Sequence, residues 1–381
     1  MKILLVTEFF PTGKDLRFSG GVEARTFFLA KHLAKRHRVY VICSRQKGSS
    51  KVERMYGFVV YRVGPVTRYT SGAPRLSDVI NRIRSIKSAI SFGQQLKVDV
   101  VDGGNFLDHF VAKQISLANK KPVIFWYPDV FLGKWISTSG FVGGILGSAL
   151  ERINLHRSAD RFIAISKNTA NKLARTSVPK NRVKVIPCGI DDDEFETAVT
   201  KFQTPKIICV SRLVNYKNLK TLIYAFAHLT TQIKELRLII IGSGPELKNL
   251  KNLAYALNVG NKVRFLSNLP REKLITLLKS SHIFSLPSLV EGFGISTIEA
   301  AAAGLPYVNS DIPTIREITR NGRGGFLVNP DEPLAFSKKF HELLTNKKLY
   351  QDKSNEAKEL SKNYSWEKIA VETEKVYKNL I

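Results

Sequence analysis

A chain of 381 residues is longer than one hydrophobic core usually serves, and its 44% hydrophobic and 24% charged content is that of a globular protein, so two domains are expected. The net charge of +27 is uneven: residues 1–190 carry 32 Lys and Arg against 11 Asp and Glu, whereas 191–381 carry 27 against 21. Cys43, Cys188 and Cys209 stand far apart without a C-x-x-C pair, which argues against a disulfide framework or structural metal, and no apolar run reaches the roughly 18 residues of a membrane span.

The first apolar run, Lys2–Thr7, reads as a strand and meets Glu8 too soon for a signal peptide, so a cytoplasmic, non-integral protein is expected. Gly20-Gly21-Val22-Glu23 then opens a helix, as a glycine turn that a phosphate can approach would do. Further strands are expected at Val39–Cys43, Phe58–Val63, Val98–Asp102, Pro122–Trp126, Arg161–Ile165 and Val183–Ile186, with helical patterns between them. Basic stretches such as Lys35-Arg36-His37-Arg38, Arg82-Ile83-Arg84 and Lys120-Lys121 suit an anionic membrane surface or a phosphate-bearing acceptor. Without a recognition helix, zinc finger or RNA-binding aromatic signature, nucleic acid is not an expected partner. Residues 135–150, apolar and glycine-rich and followed by Arg152, His156 and Arg157, read as a buried connecting segment, with an interfacial contact to lipid as the alternative.

The alternation pauses near Pro187-Cys188-Gly189-Ile190, where the acidic run Asp191-Asp192-Asp193-Glu194 and a threonine-bearing connector to Pro205 mark a domain boundary. A second series of strands follows at Lys206–Ser211, Arg237–Ile241, Lys262–Phe265, His282–Leu286, Leu305–Val308 and Gly325–Val328. Two such series predict an α/β protein of two doubly wound, mainly parallel sheets, closed by a helix over 365–381. After the strand ending at Leu286 comes E-G-F-G-I-S-T-I-E, in which Glu291 and Glu299 bracket a Gly292-Phe293-Gly294 turn into an alanine-rich helix. Taken singly, Glu299 is also a helix first-turn acid and Glu291 a solvated loop acid. At a strand's carboxyl edge, however, two acceptor-only carboxylates suit a polyhydroxylated ligand such as a sugar or a ribose.

Four further segments stand in register with that turn: Gly20-Gly21-Val22-Glu23, Ile186–Phe195, Val210-Ser211-Arg212-Leu213-Val214-Asn215-Tyr216-Lys217-Asn218, and Ile241-Gly242-Ser243-Gly244-Pro245. Together they resemble family four of the retaining glycosyltransferases, nearly end to end and most densely from Ile186 to Val328. The resemblance implies a GT-B fold, two Rossmann-like domains (1–188 for the acceptor, 189–364 for the nucleotide sugar) facing across a cleft, with the helix at 365–381 crossing back to the first. It implies that Arg212 and Lys217 clamp the donor diphosphate, that Glu299 holds the donor ribose, and that Glu291 and the backbone of Gly292, Phe293 and Gly294 hold the transferred sugar. Gly20, Gly21 and Gly244 join the donor site, with Gly20 and Gly21 admitting the phosphate from the opposite domain.

By the same resemblance the reaction is a hexose transfer with retained configuration and no metal. The uneven charge and the 135–150 segment, and not the motifs, lead to the expectation of a glycan or lipid-linked acceptor at the cytoplasmic membrane face. Asp191–Asp193 lies at the domain junction and lacks the loop setting of a manganese-binding Asp-x-Asp. The chain departs from the family at Phe125-Trp126-Tyr127-Pro128-Asp129, where Pro128 stands in place of a histidine that orients the reacting sugar. A proline side chain neither donates nor accepts, so that role is either empty or taken by Asp129, the candidate there, by Tyr127 or by His109. A nucleotide-sugar epimerase of the same fold and an inactive sugar-nucleotide binder remain open readings. Glu291→Ala is expected to abolish turnover and leave the fold intact.

Overall fold

The computed structural model describes residues 1–13, 16–18, 20–68, 76–133, 135–156 and 159–381, with side chains at all of these except 76 and 136–142. The chain divides into two compact units, Met1–Cys188 with Trp366–Ile381, and Gly189–Ser365. The strands of the first unit are β1 (Lys2–Val6), β2 (Arg38–Arg45), β3 (Val52–Met55), β4 (Phe58–Val66), β5 (Val100–Gly103), β6 (Val123–Tyr127), β7 (Arg161–Ala164) and β8 (Val183–Val185). Its helices are α1 (Gly21–Leu33), α2 (Leu76–Gln94), α3 (Phe106–Asn119), α4 (Trp135–His156) and α5 (Lys167–Leu173). The second unit holds α6 (Asp193–Glu196), β9 (Lys206–Val210), α7 (Leu219–Leu229), β10 (Arg237–Ile241), α8 (Leu247–Ala256), β11 (Val263–Leu266), α9 (Arg271–Ser280) and β12 (Ile283–Leu286). It continues through α10 (Ile295–Ala302), β13 (Tyr307–Ser310), α11 (Pro313–Ile318), β14 (Gly325–Val328), α12 (Pro333–Thr345) and α13 (Lys347–Ser361); α14 (Trp366–Lys378) returns to the first unit.

The first sheet runs β3-β4-β2-β1-β5-β6-β7-β8 and the second β11-β10-β9-β12-β13-β14. Every pairing in both is parallel except β3 with β4. Helices cover both faces of such sheets, which is why the strands β6, β12 and β13 are buried at every residue; β6 is an unbroken apolar run, while β12 and β13 also bury Ser285, Asn309 and Ser310. β3 escapes that signal: it is a short edge strand whose side chains are exposed or half-buried, and its Glu53 carboxylate accepts from Arg62 Nη2 at 3.0 Å.

Residues 135–150 are helical, which corrects the expectation of a connecting segment. Trp135 Nε1 donates to Glu151 Oε2 at 2.6 Å, sixteen positions along the chain. A straight helix of that length spans about 24 Å, so α4 is not straight between the two residues. Gly147 makes room for the contact, since a Cβ there would lie 2.4 Å from the Trp135 ring. Nor is its described part buried throughout: Leu146 is 66% exposed and Ile145 is exposed, as are Arg152, Ile153 and His156 further along the helix. Arg157 lies outside the described residues. No helix among the described residues is long and apolar enough to cross a membrane.

α14 is tied to its unit by an aromatic stack and by polar contacts, one of them fully buried. Trp366 stacks on Phe28 at 5.9 Å, Arg36 Nη2 donates to Glu374 Oε2 at 2.7 Å, and Tyr377 Oη donates to Asp102 Oδ2 at 2.5 Å. Asp102 is fully buried and also accepts a bidentate pair from Arg25, at 2.9 and 2.8 Å, whose guanidinium lies 4.9 Å over the Trp126 ring. Of the helix's expected apolar contacts, Trp366, Ile369 and Tyr377 are buried and Val371, Val376 and Leu380 half-buried.

Candidate active site

Each sheet has a point where the winding reverses, between β1 and β5 in the first and between β9 and β12 in the second. Loops leaving neighbouring strands diverge there and open a crevice at the carboxyl edge. In the second unit the loop after β9 is locked before it reaches that edge. Ser211 N donates to Ile241 O at 3.0 Å, Leu213 N to Ser243 O at 2.9 Å, and Leu289 N to Tyr216 O at 2.9 Å. A 3-10 turn over Asn215–Lys217 then carries Lys217 Nζ to Glu291 Oε1 at 2.5 Å, across the reversal. Ser288 Oγ donates to the same oxygen at 2.8 Å. The Lys217 and Glu291 side chains are only 11% and 7% exposed, so their attraction acts in a reduced dielectric and holds the carboxylate in one orientation. Arg212 is different in kind. It is exposed, its guanidinium donates to the Tyr216 hydroxyl and lies 5.8 Å over that ring, and among the described residues no carboxylate pairs with it.

The glycines expected at this site have structural reasons of their own. Gly294 precedes α10 at φ +87°, where an added Cβ would sit 2.8 Å from Ile315 Cδ1. Gly244, at φ +158°, lies so close to the β9 loop that a Cβ would be 2.2 Å from the Leu213 carbonyl oxygen. Gly292 is half-buried, while Phe293 is buried and meets Tyr364 edge to face at 5.7 Å, so its side chain serves packing. Glu299, on α10, is held apart from the Lys217 pair by a partner the sequence did not suggest. Arg271 Nη1 donates to Glu299 Oε1 at 2.5 Å, and the same guanidinium donates to Glu194 from Nε at 3.0 and 3.1 Å and from Nη2 at 2.7 Å. Arg271 and Glu194 lie 28 and 105 residues before Glu299 in a charged helix start and an acidic run, and neither carries a local signal.

In the first unit, extended Gly20 leads into α1 after the central strand β1, and a Cβ added at Gly20 or Gly21 would meet nothing within 4 Å. The start of a 13-residue helix is thus open to an anion. Asp129, after β6, is 5% exposed; its Oδ1 accepts from Lys172 Nζ at 2.5 Å and from Val130 N at 2.8 Å. Tyr127 and His109 are both fully buried. His109 stacks on Phe125 at 4.5 Å, bonds through Nε2 to the Trp126 carbonyl at 2.9 Å, and burial lowers its pKa to about 3. It is a neutral core histidine, and Tyr127 packs beside it at 4.7 Å. The structure therefore joins Lys217 directly to Glu291 and Glu299 to Arg271 in the second unit, with Gly20, Gly21 and Asp129 on the first.

The profile of Glycosyltransferase Family 4 matches residues 19–194, and that of Glycosyl transferases group 1 matches residues 191–360. The chain belongs to the family-four glycosyltransferases. An uncharacterized glycosyltransferase of Methanocaldococcus jannaschii is 26% identical over 99% of this chain and 98% of its own. The gpi3 subunit of phosphatidylinositol N-acetylglucosaminyltransferase from Schizosaccharomyces pombe is 24% identical over 95% of this chain and 78% of its own. Among solved structures, sucrose-phosphate synthase of Thermosynechococcus elongatus superposes with a TM-score of 0.84 at 19% identity, covering 100% of this chain and 98% of its own. HepE of Anabaena, in complex with UDP-glucose, superposes with a TM-score of 0.77 at 17% identity over the whole of both chains. The fold of this glycosyltransferase, two parallel-sheet α/β domains, is that of the GT-B enzymes.

Proposed function

We propose that this glycosyltransferase moves a hexose from a nucleotide sugar to a glycan or lipid-linked acceptor, with retained anomeric configuration, without a metal ion, and at the cytoplasmic face of a membrane. The observation that carries the donor half is the Lys217–Glu291 pair spanning the reversal between β9 and β12. A carboxylate held by a lysine and a serine presents its remaining acceptor capacity to sugar hydroxyls. Arg212, exposed at the same edge, offers a guanidinium fork to the diphosphate, where negative charge accumulates as the glycosidic bond breaks. The open helix start at Gly20 and Gly21 of the first unit suits a phosphate, and Asp129, paired with Lys172, is the group left to assist at the position of the family histidine. HepE, which holds UDP-glucose, supports the choice of a nucleotide sugar.

Thermal shift against UDP, GDP, ADP and their hexose conjugates, with magnesium or with EDTA, tests the donor half, because a ligand of the folded state alone must raise its midpoint. One nucleotide family is expected to raise it equally in both conditions, and the product's anomeric proton is expected to match the donor's by NMR. A shift needing magnesium, an inverted product, or an epimer formed without acceptor would each overturn part of this reading.

The acceptor half rests on the basic first half and on α4, where Ile145, Leu146 and Ile153 are exposed, as are Arg152 and His156, a combination that suits an anionic bilayer surface. The named acceptor of the Schizosaccharomyces relative, a phosphatidylinositol, points the same way. The protein is expected to co-sediment with phosphatidylglycerol vesicles but not with phosphatidylcholine ones. Binding should fall steeply as salt rises and the screening length shrinks from about 10 Å at 0.1 M to about 3 Å at 1 M. Absence of binding to either vesicle would remove the membrane from the proposal.

A further inference from the structure

We propose that Arg271 is a positioning residue for the donor's ribose: it sets the orientation of Glu299, and Glu194 in turn sets the orientation of Arg271. The inference rests on the reading that Glu299 holds the ribose. Arg271 opens α9, Glu194 belongs to α6 and Glu299 to α10, so three helices of the second unit deliver one side chain each to a single cluster.

The distribution of the guanidinium's donors is unequal. Glu194 takes Nε and Nη2, receiving bonds at 2.7, 3.0 and 3.1 Å on its two oxygens, whereas Glu299 takes Nη1 alone, on Oε1. The fork-on-fork contact with Glu194 fixes the guanidinium plane, and the single contact with Glu299 then fixes the carboxylate without using up both of its oxygens. Arg271 and Glu299 have side chains only 8% and 7% exposed, and Glu194 18%. Two carboxylates bear on one guanidinium in a poorly solvated place. A cluster that served packing alone would be at least as stable with apolar side chains of similar volume. A pair of vicinal hydroxyls arriving at Glu299 supplies the donors that its carboxylate calls for, provided that Arg271 holds that carboxylate still.

The test is calorimetric titration of UDP, GDP and ADP and of their 2′-deoxy counterparts, with inorganic pyrophosphate as a probe that bears no ribose. In the native protein the ribonucleotide that binds is expected to bind about tenfold or more tightly than its deoxy counterpart, the size of one charge-assisted hydrogen bond. In Arg271→Lys, whose ammonium cannot serve both carboxylates in one plane, and in Glu299→Gln, that ratio should fall toward one while pyrophosphate affinity is kept. Loss of the ratio in Glu299→Gln but not in Arg271→Lys would overturn the role of Arg271 and leave that of Glu299 standing. A ratio near one in the native protein, or unchanged in Glu299→Gln, would instead overturn the reading of Glu299. If Arg271→Lys does not fold, Glu194→Gln loosens the guanidinium with all three side chains present. It should lower the ratio, and a native ratio there would refute the proposal.

Discussion

Glu291→Gln is expected to lower kcat/KM by about 10²- to 10³-fold, the loss that follows removal of one preorganised charged group from a transition state, while the thermal midpoint stays near that of the native protein. The amide keeps an oxygen for Lys217 Nζ and Ser288 Oγ, so the loop after β12 retains its contacts and only the charge is withdrawn. Glu291→Ala is a less clean variant than its sequence suggests. It strips the nearly buried Lys217 of its counter-charge, which costs about 1–3 kcal/mol of stability in addition to the lost chemistry. Steady-state transfer assays beside circular dichroism melts of both variants check this. Native turnover in Glu291→Gln would show that the carboxylate's charge has no part in the reaction.

The second large effect concerns stability in the first unit. Asp102→Ala would leave Arg25 as an uncompensated cation, 3% exposed and stacked over the Trp126 ring, and removing one partner of a buried pair costs about 3–5 kcal/mol. Tyr377→Phe removes a hydrogen bond to a charged acceptor and should cost about 1.5–3 kcal/mol, while replacing Arg25 and Asp102 together by Met and Leu should recover much of the loss. All three tryptophans, Trp126, Trp135 and Trp366, belong to this unit, so urea unfolding followed by tryptophan fluorescence reports on it and not on Gly189–Ser365. A Tyr377→Phe midpoint equal to the native one would mean that α14 is held by its apolar face and the Glu374 contacts alone.

Much of the architecture is legible in the residues themselves. Parallel strands covered on both faces become short apolar runs between helical patterns, and thirteen of the runs marked in the sequence coincide with strands of the structure to within a few residues. The exceptions have physical causes. β3 is an edge strand whose alternate side chains face water, so Lys51-Val52-Glu53-Arg54 carries no apolar signature. α4 hides its helix behind glycines, of which Gly147 accommodates Trp135, a packing reason that composition alone reads as helix-breaking.

Local order determined, from sequence alone, the α/β class, the glycosyltransferase family and the placing of Glu291 and Glu299 at the edge of a strand, because periodicity, turns and motif spacing are written in neighbouring residues. Partnership was decided by tertiary structure. Lys217 meets Glu291 across 74 residues, Arg271 divides itself between Glu194 and Glu299 across 77 and 28, and Tyr377 reaches Asp102 across 275. A charged side chain is compatible with open surface or with a buried cluster, and only the packing of distant elements removes the water that makes the difference.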